Sequence, residues 1–235
     1  MAEHPLDNSV WAAITGPQAD LAEVRGRAAR YRPDVTRFAA LPSEPAPEDW
    51  ADLALLAGPG ENVVITGASR TPPEGWEARA GEGVQMVGSA VEVGPDPEAV
   101  LLGAADVPEM LDLVARTQPG PFEPNTRLMG TYLGIRIDGA LVAMAGERLR
   151  PPGWSEISAV CTDPAYRGRG LASRLIRAVG AVIRERGDVP YLHAAATNTT
   201  AIRLYEHMGF TLRRHVVFAL LRTPVHLGAD VTSMT

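Results

Sequence analysis

The run Arg167-Gly168-Arg169-Gly170-Leu171-Ala172 carries the sharpest chemical signal in the chain. It follows an apolar segment and opens a helical one. Small residues there let backbone approach a ligand closely. The free N–H groups of a helix's first turn, with the helix dipole, form an anion site. Arg167, Arg169 and Arg174 add positive charge. The pattern predicts a phosphate or pyrophosphate ligand, though a tight turn with solvated arginines reads equally well from the glycines alone. The dinucleotide-binding glycine spacing is absent. A second group of residues is Asn198, Ala201, Tyr205, Gly209 and Phe210. Asn198 is a natural helix cap. Tyr205 lies two helical turns beyond it, on the same face, with the small Ala201 between. Alone, Tyr205 fits an amphipathic core position as well as a proton donor.

The elements around these residues read clearly. Glu156–Thr162 predicts a strand leading into the glycine turn. A long helix follows, with Leu171, Leu175, Ile176, Val179 and Ile183 on one face and Gly187 as its stop. Pro190–Ala195 predicts a buried strand, Asn198–Met208 a helix and 216–221 a last strand. Upstream, Tyr132–Ile137 and Ala140–Leu149 flank Asp138-Gly139, a strong hairpin signal. Asp106 with Glu109 suggests a capping box for a helix through Met110 and Val114. Val100–Leu102 predicts a short strand. Gly94-Pro95-Asp96-Pro97 is a turn-rich joint. It divides the chain into an α/β segment 1–97, a main domain 98–222 and a tail 223–235. Within 1–97, a helix through Val10 and Ile14, a helix Glu48–Leu56 and strands Asn62–Thr66 and Val84–Val87 are expected.

The chain has 235 residues, 46% of them hydrophobic, which suffices for a substantial core. No apolar run is long enough to span a bilayer and no leader pattern opens the sequence, so a cytoplasmic protein is expected. The single cysteine, Cys161, excludes a disulfide framework and a Cys-rich zinc site, and no metal is expected. A net charge of −6 argues against nucleic-acid binding. Every basic residue other than histidine is Arg. The absence of Lys excludes Schiff-base chemistry and a Walker-type phosphate loop. Residues 1–98 hold 7 Arg against 16 acidic residues, and residues 99–235 hold 15 against 12. An anionic ligand therefore favours the second half.

Together the two motifs resemble the GNAT superfamily of acyl-CoA-dependent N-acyltransferases. The loop matches the family's Arg/Gln-x-x-Gly-x-Gly/Ala signature at Arg167, Gly170 and Ala172, with the Asn–Tyr helix following as in the family. The resemblance covers about residues 98–222. It implies an α/β fold with a mixed, mostly antiparallel sheet flanked by helices, preceded by a smaller α/β domain. It implies acetyl-CoA as co-substrate, its pyrophosphate held by main-chain N–H groups of Gly168, Arg169, Gly170, Leu171, Ala172 and Ser173. It implies that main chain of Val160 and Thr162 pairs with the pantetheine arm, that Asn198 contacts the cofactor, and that Tyr205 protonates the departing thiolate.

The acceptor would be a small-molecule or peptide amine. At neutral pH only about one alkylamine in 10³–10⁴ is unprotonated, so a base helps. Glu156 and Glu147 are the candidates. Glu156 is preferred because simple strand alternation puts it on the face of Val160 and Thr162. Cys161 reads as a small core residue. Segment 1–97 is compatible with a degenerate second GNAT-like unit, an acceptor-binding cap or a homodimer surface. Its acidity hints weakly at a cationic acceptor. A non-catalytic acyl-CoA sensor is the alternative to an enzyme.

Overall fold

A computed structural model describes residues 4–66 and 71–226. The amino-terminal residues 1–3 and positions 227–235 of the expected tail lie outside the described residues.

Eleven strands and five α-helices occur among the described residues. The strands are β1 (Ala22–Arg25), β2 (Ala28–Tyr31), β3 (Ala39–Ala40), β4 (Asn62–Thr66), β5 (Glu77–Val87), β6 (Ala99–Leu101), β7 (Tyr132–Ile137), β8 (Ala140–Glu147), β9 (Trp154–Thr162), β10 (Val189–Ala195) and β11 (Thr211–Arg222). The helices are α1 (Ser9–Ile14), α2 (Pro47–Ala57), α3 (Val107–Thr117), α4 (Leu171–Glu185) and α5 (Thr199–His207). β1–β3 form a small antiparallel sheet. The rest form one eight-stranded sheet ordered β4-β11-β5-β10-β9-β8-β7-β6. All its neighbours are antiparallel except β9 and β10.

Local chemistry explains the well-marked elements. Asp138 (φ 51°) and Gly139 (φ 83°) take the left-handed backbone that a two-residue hairpin needs. Asn198 caps α5 by accepting from the Ala201 amide at 3.1 Å. The apolar stripe of α4 buries Leu171, Leu175, Ile176, Val179 and Ile183 against Met86, Ile135, Ile157 and Leu192 of the sheet. On the other face, α3 packs Met110 and Leu113 over Tyr132, Leu141 and Met144. Further along that face, α1, β2 and Phe38 cover Tyr191 and Leu149.

The structure corrects several expectations. The joint at 94–97 does not separate two cores. Strands β4 and β5, from before it, lie in the large sheet, and β5 sits between β10 and β11. Val84, Met86 and Val91 share a core with Ile135 and Leu192. Asp106 and Glu109 do not form a capping box for α3. Asp106 accepts from the Gly103 amide, and both carboxylates grip Arg136. Thr223, placed in the tail by the sequence, is buried and bonds to Glu61. β1–β3 were not foreseen.

Candidate active site

The parallel pair β9–β10 is in register only from Trp154 against Val189 to Ile157 against Leu192. Beyond that point the strands have no pairing with each other. A cleft of about 940 Å³ opens there, bordered by Ser158–Thr162 on one side and His193–Ala195 on the other. It runs to the glycine turn, and the start of α5 closes one flank.

Most residues expected at the site meet here. Val160, Thr162, Arg167, Gly168 and Gly170 line the cleft, with Leu171, Ala172 and Ser173 from the first turn of α4. Asn198 and Tyr205 face it from α5. Gly168 and Gly170 have φ of 77° and 75°, and a Cβ on either would meet no other atom within 4 Å. Both therefore present bare backbone to open space. Gly170 is the N-cap of α4 and no side chain caps this end, so the helix's first N–H groups are left for a ligand. Among the described residues the Thr162 hydroxyl, buried in the cleft wall, has no hydrogen-bond partner. An unpaired strand edge, an orphaned hydroxyl and an open anion turn fit an extended ligand arm that ends in a diphosphate, as in coenzyme A.

The remaining arginines behave differently. Arg169 stacks on the Tyr166 ring, 5.0 Å from its centroid, and is not part of the cleft wall. Arg174 is tied to Asp96 by two 2.7 Å bonds and to Glu98 by one of 2.6 Å. Its charge holds the 94–97 turn against α4 instead of facing the anion site.

Glu156 is placed otherwise than strand alternation suggests. Ala159 takes φ 52°, and the β8–β9 register slips between Met144 and Gly146. This bulge inserts one extra residue and reverses the alternation. Ile157 and Val160 consequently pack in one core, whereas Cys161 packs in the α3 core on the other face. Glu156 is fully buried, and its oxygens accept from Arg148 Nε (2.9 Å), Arg148 Nη2 (2.6 Å) and the Leu149 amide (3.4 Å). His193 Nδ1 lies 2.7 Å from Oε1. Burial alone would raise the Glu156 carboxyl, but Arg148 and His193 hold it well below the usual carboxylate range. Glu147 serves elsewhere. It accepts from Ser155 Oγ and the Thr131 amide and pairs with Arg186 at the end of α4.

The cleft also takes residues that sequence reasoning missed, chiefly Arg148, Ser158 and His193. The His193 tautomer follows from its neighbours. Gln85 Oε1 accepts from Arg213 at 2.8 Å, so Gln85 Nε2 is the donor, reaching Leu6 O at 3.0 Å and His193 Nε2 at 3.1 Å. His193 thus accepts at Nε2 and donates from Nδ1 to Glu156. Arg148, Glu156, His193, Gln85 and Arg213 form one polar row across the sheet. It ends on Asp7, which accepts from Arg213 at 2.7 Å. Tyr205 is buried against Phe210, and burial raises its phenol above the ordinary value.

This sheet, its splayed parallel pair and its glycine turn define the acyl-CoA-dependent acyltransferase fold. A family model described as FR47-like protein matches residues 132–219. The chain is 37% identical over 129 residues to the N-alpha-acetyltransferase RimI of Mycobacterium tuberculosis, covering 49% of this chain and 80% of that protein. It is 39% identical over 171 residues to the mycothiol acetyltransferase of Beutenbergia cavernae, covering 71% of this chain but only 52% of that one. The chain thus spans about half the length of that relative. A crystal structure of a GNAT-family protein from Novosphingobium aromaticivorans superposes with a TM-score of 0.86 at 45% identity, covering 93% of this chain and 98% of its own. The chain belongs to the GNAT acetyltransferase family, and it is an acetyltransferase. Among the described residues no helix is long and apolar enough to cross a membrane.

Proposed function

We propose that the protein transfers an acetyl group from acetyl-CoA to a primary amine by direct attack on the thioester. The observation that carries this reading is the stretch Ser158–Thr162, which pairs with β8 but not with β10 and leads onto the open Gly168–Gly170 turn with Tyr205 in the same cleft. The free edge of β9 supplies main-chain groups to the pantetheine amides, as an added strand would. The α4 terminus takes the pyrophosphate, with Arg167 beside it.

The amine nitrogen attacks the thioester carbon. A C–N bond forms, the tetrahedral intermediate collapses, and the C–S bond breaks. Tyr205 gives its proton to the departing sulfur, and the proton lost by the acylated nitrogen passes to water, from which the phenolate is reprotonated. A phenol kept protonated by burial remains a donor throughout the neutral range. Glu156 acts at a remove from the acceptor. Its oxygens are occupied, so it holds Arg148 and His193 in the cleft wall, and the amine enters as its free base. The acceptor is a small molecule or the amine of a peptide.

Incubation with acetyl-CoA and a panel of amines, read as free thiol released, tests this proposal. Thiol release that depends on the amine supports it. Stabilisation by CoA without release on any amine would instead make the protein a sensor.

A further inference from the structure

The acidity of segment 1–97 hints at a cationic acceptor, and the cleft points the other way. Among the described residues its wall contains no Asp or Glu. Its charged side chains are Arg167, beside the glycine turn, and Arg148, beyond the start of the splay. From the level of Glu156 to Thr162 is roughly 20 Å of strand at about 3.3 Å per residue. Arg148 is therefore remote from the anion turn that holds the cofactor's phosphates, at the end left for the acceptor.

Arg148 is also built for recognition. Its Nε and Nη2 bind Glu156, and its guanidinium lies over Phe38, 4.9 Å from the ring centroid. Nη1 makes no hydrogen bond among the described residues. Glu156 accepts from three donor groups and faces His193 Nδ1, so it has no capacity left for a ligand. Arg148 lines the cleft and Glu156 does not. The pair thus shows the acceptor only its donor side. The complement of a rigid, donor-only guanidinium is a carboxylate.

We infer that the acceptor is an amine that also carries a carboxylate, either a free amino acid or a peptide with an acidic residue near its N-terminus, and that Arg148 binds this carboxylate. The inference rests on the acetyl-transfer reading above and names the substrate class of that site. Polyamines and Lys-rich peptides would meet no counter-charge in this cleft.

The experiment pairs acceptors that differ only in that group: L-amino acids against their carboxamides, and a tetrapeptide with Glu at its second position against the same peptide with Gln. Spermidine is the cationic control. Each is titrated calorimetrically into CoA-loaded protein and assayed for thiol release from acetyl-CoA. Binding and kcat/KM, both taken per free-base amine because amidation lowers the α-amino pKa, at least 10-fold better for either acid than for its neutral partner support the inference, and which pair responds separates the two sources. R148M should erase that ratio. R148M/E156Q, which strands no buried carboxylate, should erase it too, with CoA binding retained. Equal handling of acid and amide by wild type, a preference for spermidine, or an equal loss on both members of a pair in the folded double variant overturns it. Failure of the acetyl-transfer reading shows separately, as absence of CoA-induced stabilisation in a melting scan or as CoA-induced stabilisation with no thiol release on any amine, acidic or neutral.

Discussion

His193 Nδ1 and Glu156 Oε1 stand 2.7 Å apart in a row that joins the cleft wall to the amino-terminal segment. Arg148 closes on the same carboxylate, so three buried groups satisfy one another. Breaking such a set from one side leaves an uncompensated charge. E156Q should lower stability by about 3 kcal/mol, read from urea unfolding at pH 7. The folded carboxyl lies below its unfolded value, near 4.3. Its contribution is therefore present above that pH and lost as the pH falls below it. The acid limb of the stability curve should be shallower for E156Q than for wild type. Identical limbs would remove Glu156 from the balance.

Tyr205→Phe keeps the ring against Phe210 and deletes only the hydroxyl. Single-turnover acetyl transfer should fall about 10²-fold or more, with the CoA-induced melting shift preserved. At 100 times its Kd, CoA should stabilise both proteins by about 2.7 kcal/mol. Unchanged single-turnover transfer would take Tyr205 out of the chemistry.

What the sequence revealed depended on how local each signal is. The glycine turn, the α4 stripe, the Asn198 cap and the Asp138-Gly139 hairpin are each written within a few adjacent residues. β1–β3 span two to four residues each, too short for any periodicity to register. The outer half of β5, Glu77–Glu82, is exposed and polar, and its partner β11 lies well over a hundred residues downstream. Arg148, His193 and Gln85 meet only across strands, so no spacing announces them. The placing of Glu156 failed at one residue. Ala159 occupies left-handed backbone without being glycine, and nothing in the sequence marks a bulge there.

Gly170→Val tests the anion turn. At φ 75° a branched side chain is strained by about 1–3 kcal/mol. Among the described residues, no atom beyond its two chain neighbours lies within 4 Å of the added Cβ. The fold should persist with a lowered melting temperature, while calorimetric affinity for CoA falls at least 10-fold. Wild-type CoA affinity in this variant would mean the pyrophosphate sits elsewhere.

The occupied lone pairs of Glu156 and His193 set an expectation for pH. If the amine reacts as a free base without a protein group taking its proton, log kcat/KM should rise with unit slope toward the acceptor's own pKa, near 10.4 for an alkylamine. Replacing the acceptor by one of lower pKa should move the whole profile by the difference. A further break that stays fixed when the acceptor changes, and that E156Q abolishes, would put the Glu156–His193 pair in the proton path.

The position of β5 makes the joint at 94–97 a poor place to cut. A chain beginning at residue 98 reads from sequence as a self-contained catalytic domain, since the glycine turn and the Asn198–Tyr205 helix both follow the 94–97 joint. In the structure β5 pairs with β10 from Gly83 to Val87 and with β11 from Glu77 to Val87. Its loss would leave two strands with open edges and would strip Met86 and Val84 from the α4 core. Residues 98–235 alone should show no cooperative melt by circular dichroism and no stabilisation by CoA. Co-expression with residues 1–97 should restore both, because the break falls between β5 and β6 and leaves every strand whole. A cooperative, CoA-responsive melt from residues 98–235 alone would show that the sheet holds without its central strand.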